Sequence, residues 1–266
     1  MFPAALAAYR ANLKPVALIC LLVYVPVIII DQLVAPIDTS LLQQGAGSAA
    51  LQALAQTLLV GACISIVFEP LASAAMTSLA YQHPGKKAEF TAMLDASLLK
   101  WPRHFITALM YFALVLGMMF AAYYTTQLFF PIGILIIAQM FNYAVLFTFY
   151  CEIVAISDLW GPSAFLESRR LVRGQWRNTA LFILMLAVMM YAVSALILAA
   201  EGLLAVGPLK IAAAIALQFL SYFVSCYFKI CISMYFLELR KQSKNSPFDI
   251  HTLRTEGKND NQGHNT

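Results

Sequence analysis

The sequence SRRLVRGQWR (168–177) runs directly into NTALFILMLAVMMYAVSALILAA (178–200), so that four arginines precede 23 residues without a charge. A helix of about 20 apolar residues is long enough to cross the hydrocarbon core of a bilayer. Lys and Arg collect in the cytoplasmic loops of membrane proteins. This stretch therefore predicts a transmembrane helix that starts at the cytoplasmic surface.

Similar apolar segments occur along the rest of the chain. Of the 266 residues, 61% are hydrophobic and only 11% are charged, whereas about 25% of the residues of a soluble domain are charged. This composition excludes a soluble globular protein, a disordered chain and a collagen. The predicted fold class is all-α, a polytopic membrane protein with six transmembrane helices at approximately residues 13–35, 50–81, 103–125, 130–156, 178–200 and 209–237.

The positions of the basic residues predict the orientation of these helices. With six spans, 15 of the 17 Lys and Arg residues fall in the N-terminal arm, the second and fourth loops and the C-terminal tail. Because basic residues mark the cytoplasmic side, both termini are predicted to be cytoplasmic. Residues 1–244 form the predicted membrane domain, and the polar residues 245–266 are predicted to be a disordered cytoplasmic tail. The first span is predicted to be an uncleaved signal anchor.

Two of the basic loops carry amphipathic helical patterns. The apolar side chains of residues 90–101 share one helical face, and residues 162–176 repeat the pattern less cleanly. Such sequences predict two cytoplasmic interfacial helices, with aromatic side chains towards the membrane and basic ones towards anionic lipid. The alternative is a pair of connectors that pack on the ends of the spans. The candidate lipid-headgroup contacts are Lys86, Lys87, Trp101, Arg169, Arg170, Arg173 and Trp176.

Three charged residues lie inside predicted spans, namely Glu69, Glu152 and Lys229. A charged side chain in a span is costly and marks a candidate functional position. All three fall in the cytoplasmic half of the predicted membrane, so a contact between a glutamate and Lys229 is geometrically open. They form a structural ion pair between helices or a site that binds a proton or a headgroup, or Glu152 and Lys229 simply extend to the membrane surface. Pro70 directly follows Glu69 and predicts a kink at that point.

Three short motifs carry a family resemblance. PIG (131–133) opens the fourth span, SDLWG (157–161) follows it, and AFLESRRLVRGQW (164–176) precedes the fifth. This arrangement resembles the YciC-like bacterial inner-membrane proteins and the related membrane domain of some glycerophosphodiester phosphodiesterases. The resemblance implies a multi-pass protein of the bacterial inner membrane with no assigned activity, and it supplies no catalytic residues.

The sequence holds no recognisable motif for catalysis, cofactor binding or metal binding. Its five cysteines are odd in number and lie in apolar stretches, which is not a disulfide framework. We therefore predict a non-enzymatic envelope or lipid-associated membrane protein without a cofactor, whose partners are membrane lipids and not nucleic acid. Membrane proteins or further copies of the chain are additional candidate partners. The alternative is a small-molecule or lipid transporter that uses Glu69, Glu152 and Lys229.

Overall fold

The chain folds into α-helices throughout the part described by the computed structural model, which comprises residues 2–34, 66–81, 89–204 and 210–244. No strand occurs within these ranges. The helices are α1 (Phe2–Ala11), α2 (Leu13–Val34), α3 (Ile66–Tyr81), α4 (Phe90–Leu128), α5 (Phe130–Leu146), α6 (Tyr150–Ile156), α7 (Pro162–Arg173), α8 (Trp176–Leu204) and α9 (Lys210–Lys244). The all-α prediction is therefore confirmed for the described residues.

Several of these helices are long and apolar enough to cross a membrane. Four candidate spans are Phe90–Leu128, Phe130–Ile156, Trp176–Ile197 and Ala213–Ser243, and the bent pair of α1 and α2 is a fifth when it is counted as one span. The described part of the chain is thus all-helical and contains the helices of a multi-pass membrane protein. Only α3 represents the predicted second span, because residues 50–65, like the predicted tail 245–266, lie outside the described residues.

The first ten described residues form a packed helix that the sequence analysis does not predict. The axes of α1 and α2 differ by 80° at Asn12, so α1 does not extend the first span. Asn12 is buried at this corner, and its side-chain amide donates to the carbonyl of Ala8 at 2.9 Å. The hydroxyl of Tyr9 donates to the carbonyl of Phe223 at 2.9 Å. The Tyr9 hydrogen bond holds α1 against α9.

The first predicted interfacial helix is continuous with the span that follows it. Helix α4 has 39 residues, which corresponds to about 58 Å at 1.5 Å per residue and exceeds the hydrocarbon thickness of about 30 Å. Pro102 lies inside this helix without ending it. Met93 and Ser97 before the proline are buried, as is Ala108 after it. Packing along this face therefore stabilises a continuous helix on both sides of Pro102. Leu98, predicted on the apolar face, is exposed.

The second predicted interfacial helix is a separate element, α7, and it starts at Pro162 as expected. The side chain of Ser168 in α7 hydrogen-bonds to the backbone of the fourth span at the point where it is interrupted between α5 and α6. The Ser168 hydroxyl donates to the carbonyl of Leu146 at 2.8 Å and accepts from the amide of Phe149 at 3.2 Å. One side chain therefore serves both a backbone donor and a backbone acceptor that the broken turn leaves without helical partners.

Helix α3 belongs to the larger of two hydrophobic clusters. This cluster joins α1, α2, α3 and α9 with residues of α4 and α8. The smaller cluster joins α5, α6, α7, the start of α8 and the C-terminal part of α9. Small residues dominate the buried surface of α3, including Ala72, Ser73 and Ala75. Small side chains let neighbouring helices approach closely. The sequence of α3 therefore brings Glu69, near its start, close to both α2 and α9.

Candidate functional site

Three helices bring a charged pair and a tyrosine together inside the helical bundle. The ammonium group of Lys229 on α9 donates a hydrogen bond to Oε1 of Glu69 on α3. The hydroxyl of Tyr24 on α2 donates to Oε2 of the same carboxylate at 3.3 Å. Both carboxylate oxygens of Glu69 are therefore engaged by groups from other helices, and the ion pair links α3 to α9.

The surroundings of this pair are aromatic and apolar. The ring of Tyr222 stacks on the ring of Tyr24, with centroids 4.3 Å apart. The Sγ atoms of Cys20 and Cys226 lie 3.2 Å apart in the same part of the α2–α9 contact. Water therefore screens the Lys229 ammonium poorly, and this side chain is only 14% exposed. Separating the pair would leave a desolvated charge behind.

The Glu69 side chain is different, because 45% of it remains exposed. It lines a cavity of about 250 Å³ between α3, α4 and α6. The walls of this cavity consist of Ile66, Glu69, Pro70, Ala108, Tyr111, Phe112, Val115, Tyr150 and Cys151. Glu69 contributes a carboxylate to a cavity whose other walls are largely aromatic and aliphatic. Of the three charged residues predicted as a cluster, Glu69 alone lines it.

Glu152 directly follows Cys151 of the cavity wall but does not line the cavity. Its side chain on α6 is only 4% exposed, and its Oε2 atom is buried without a hydrogen-bond partner in the described structure. Lys229 is hydrogen-bonded to Glu69. The predicted cluster is thus an ion pair between Glu69 and Lys229 and, apart from it, the buried carboxyl of Glu152.

Residues 2–238 match the profile of a protein family that is described as a domain of unknown function, DUF7847. The chain belongs to this family. No curated protein matches the chain, and no solved structure does either. The match includes Glu69, Glu152 and Lys229, so the charged cluster lies within the family domain.

The candidate headgroup contacts are distributed over several elements of this DUF7847 domain. Trp101 is used within the fold, since its indole nitrogen donates to the carbonyl of Val67 at 2.9 Å, three residues before Pro70. Trp176 opens α8 and makes an edge contact with Phe141, with ring centroids 6.4 Å apart. Lys86 and Lys87 lie outside the described residues. The remaining three, Arg169, Arg170 and Arg173, are exposed on α7.

A polar junction between α4 and the α6–α7 connection is not singled out by the sequence analysis. The Lys100 ammonium donates to the carbonyl oxygens of Ala155 at 2.8 Å and Ser157 at 3.3 Å, at the C-terminal end of α6. The Arg103 guanidinium contacts the Asp158 carboxylate at 3.1 Å. A cation stabilises the partial negative charge of a helix C-terminus. The motif SDLWG supplies the carboxylate in sequence, but its partner on α4 lies 55 residues away.

Proposed function

We propose that this protein is a non-enzymatic, lipid-associated protein of the bacterial inner membrane, with six spans and both termini in the cytoplasm. The contacts among the basic segments support this orientation. Lys100 and Arg103 contact the α6–α7 connection, and the Gln175 amide before α8 lies 3.5 Å from Gln242 near the end of α9. Lys and Arg side chains that cluster at one end of a helical bundle are typical of the cytoplasmic surface of a membrane protein. The relation to the YciC-like proteins remains part of this proposal.

The main support for a lipid-associated function comes from the arrangement of helix α7. Its buried face consists of Ala164, Ser168, Leu171 and Val172. Arg169, Arg170 and Arg173 are exposed on the other side, where Arg170 also approaches Glu167 at 3.7 Å. The helix is held to the bundle by Ser168, so its arginines are fixed at the end of the fourth and fifth spans. This arrangement suits contact with anionic headgroups.

Replacing the three α7 arginines by glutamine is expected to weaken the retention of anionic lipid. Each basic residue near a membrane surface contributes about 1 kcal/mol, so the triple variant should bind phosphatidylglycerol about 100-fold more weakly. Native mass spectrometry of purified protein titrated with phosphatidylglycerol and phosphatidylcholine measures this. The matched triple Arg→Lys variant keeps the charge and should retain most of the binding. Equal retention of both lipids by the wild-type protein would contradict the proposal.

The proposed orientation predicts opposite labelling at two exposed positions. Gln127 lies near the end of α4, at the turn into α5, and Ser163 lies in the first turn of α7. In intact spheroplasts, an impermeant thiol reagent should label Gln127→Cys. Ser163→Cys should react only after the membrane is permeabilised. The wild-type protein is the control for labelling of the native cysteines. The reverse pattern would invert the proposed threading.

Transport of a small molecule is the second candidate function, and the cavity beside Glu69 favours it. A charged group that lines a cavity inside a membrane domain marks a possible substrate position. Glu69 stands directly before Pro70 in α3, and both residues line the cavity. The candidate substrate site is therefore the Glu69 carboxylate with the aromatic wall provided by Tyr111, Phe112 and Tyr150.

A further inference from the structure

We propose that α1 lies along the cytoplasmic surface of the membrane as an interfacial helix, and that its outer face binds anionic phospholipid through Arg10 and Lys14. The inference rests on the proposed function for the cytoplasmic side and for the lipid partner. It adds a second lipid-binding surface, on a helix that has no part in the surface formed by α7.

The direction of α1 follows from its junction with α2. Helix α2 has 22 residues, which corresponds to about 33 Å at 1.5 Å per residue and is long enough to cross a hydrocarbon core of about 30 Å. The axes of α1 and α2 differ by 80°. Since transmembrane helices are tilted by about 20° on average, α1 lies within roughly 30° of the membrane plane when α2 crosses the bilayer.

Contacts with α8 and α9 place α1 beside the spans and not over their ends. The hydroxyl of Tyr9 donates to the carbonyl of Phe223, about 30 Å from the C-terminal end of α9 at 1.5 Å per residue. The ring of Phe2 packs against that of Phe182 on α8, with centroids 6.2 Å apart. Phe182 lies about 9 Å along α8 from Trp176, its first residue. This depth matches that of interfacial helices, which are buried by about 5–10 Å.

The two faces of α1 have different surroundings. Its inner face consists of Ala5, Ala8 and Tyr9, which are buried against the bundle. Leu6 is exposed on the outer face, and the exposed Arg10 lies one helical turn further along the same side. At the depth of α1 the surface beside the spans meets lipid. An apolar side chain is favourable there, and a long basic side chain reaches the headgroups with its charged end.

Arg10 and Lys14 place two positive charges at the corner between α1 and α2. Both side chains are exposed, and neither forms an ion pair with another residue of the described ranges. Residues 2–14 contain no Asp or Glu, so this surface is basic without compensation from its own segment. Anionic headgroups attract basic residues at the membrane surface. Charge complementarity therefore identifies anionic phospholipid as the partner of the outer face.

Spin labels on the full-length protein measure where α1 lies in the membrane. In vesicles of phosphatidylglycerol and phosphatidylcholine, collisions of the label with oxygen report hydrocarbon, and collisions with a water-soluble nickel chelate report water. Leu184→Cys, at an exposed position within α8, is the hydrocarbon reference, and Gln242→Cys, at an exposed position near the end of α9, is the aqueous reference. Leu6→Cys should fall between them, and the wild-type protein gives the background from native cysteines. Equality of Leu6→Cys with either reference, or shielding from both reagents, would overturn the interfacial placement.

The lipid partner is tested with the double variant Arg10→Gln and Lys14→Gln. The purified protein is titrated with phosphatidylglycerol and phosphatidylcholine, and native mass spectrometry measures the lipid retained. Each basic residue near an anionic surface contributes roughly fivefold to binding, so the double variant should bind phosphatidylglycerol at this surface about 30-fold more weakly. Arg10→Lys keeps the charge, is the matched control and should retain phosphatidylglycerol as the wild type does.

The two basic surfaces are separated by making the α1 double variant in the wild type and in the protein whose three α7 arginines are glutamine. If both surfaces bind lipid, the α1 substitutions weaken the retention of phosphatidylglycerol in either background. If the α1 substitutions change nothing in either background, the α1 site is overturned and the proposed function stands on α7. If the α7 variant keeps its retention until the α1 substitutions are added, the α1 site stands and the role of α7 fails. Equal retention of both lipids by the wild type overturns both surfaces.

Discussion

Replacing Lys229 with methionine is expected to destabilise the protein by about 2–3 kcal/mol, because the substitution leaves the Glu69 carboxylate without its ion-pair partner. Removing one partner of a fully buried ion pair costs about 3–5 kcal/mol. The expected cost is lower here because 45% of the Glu69 side chain is exposed, so water and the Tyr24 hydroxyl still solvate its carboxylate. Denaturant unfolding in detergent, followed by tryptophan fluorescence, measures the change.

The double variant with Glu69→Gln and Lys229→Met separates pairing from packing. It removes both charges, so it should recover most of the stability lost by Lys229→Met alone. Lys241→Met, at an exposed lysine on the same helix, is the matched control and should change stability by less than about 0.5 kcal/mol. If Lys229→Met and Glu69→Gln were each as stable as the wild type, the pair would contribute nothing to the fold.

The contact between Glu69 and Lys229 illustrates what sequence reasoning can reach in this protein. Charges are rare in apolar spans, so composition alone identifies Glu69, Glu152 and Lys229 as the positions to examine. Hydropathy does not tell which carboxyl Lys229 contacts, because both glutamates fall in the same half of the predicted membrane. The choice depends on how α3, α6 and α9 are arranged around one another. Packing of small residues such as Ala72 and Ala75 decides that arrangement, and a single sequence does not reveal it.

Other features lie outside sequence reasoning for similar reasons. Tyr24 has the same apolar surroundings as many other residues of its span, and only the position of Glu69 on a different helix makes it a hydrogen-bond donor. The role of Ser168 depends on a break 19 residues earlier in the chain. Helix α4 continues through Pro102, where local propensity favours an end, because tertiary packing outweighs the local cost. Local sequence patterns are therefore enough to predict the spans, whereas the site is formed by contacts between residues that are distant in the sequence.

Helix α5 approaches α4 so closely at Gly133 that substitution by alanine is expected to cost about 1–3 kcal/mol, the usual range for overpacking. A Cβ atom at Gly133 would lie 2.8 Å from the Cβ and 3.0 Å from the Cα of Thr126, and closer still to its hydroxyl oxygen. The backbone of Thr126 cannot move away without separating the two helices. Gly133→Ala should therefore lower the denaturation midpoint in detergent, and Gly133→Val should lower it further.

The matched control for this substitution lies on the neighbouring helix. A Cβ atom at Gly117 of α4 would meet nothing within 4 Å, so Gly117→Ala should stabilise the protein by up to about 1 kcal/mol through helix propensity alone. Thr126→Ala combined with Gly133→Ala should recover only part of the loss, because it removes the hydroxyl oxygen and keeps the Cβ atom 2.8 Å away. Opposite signs for Gly117→Ala and Gly133→Ala would establish that the close contact between α4 and α5 makes glycine necessary at position 133. Equal effects would mean that the two helices can separate at little cost in the folded protein.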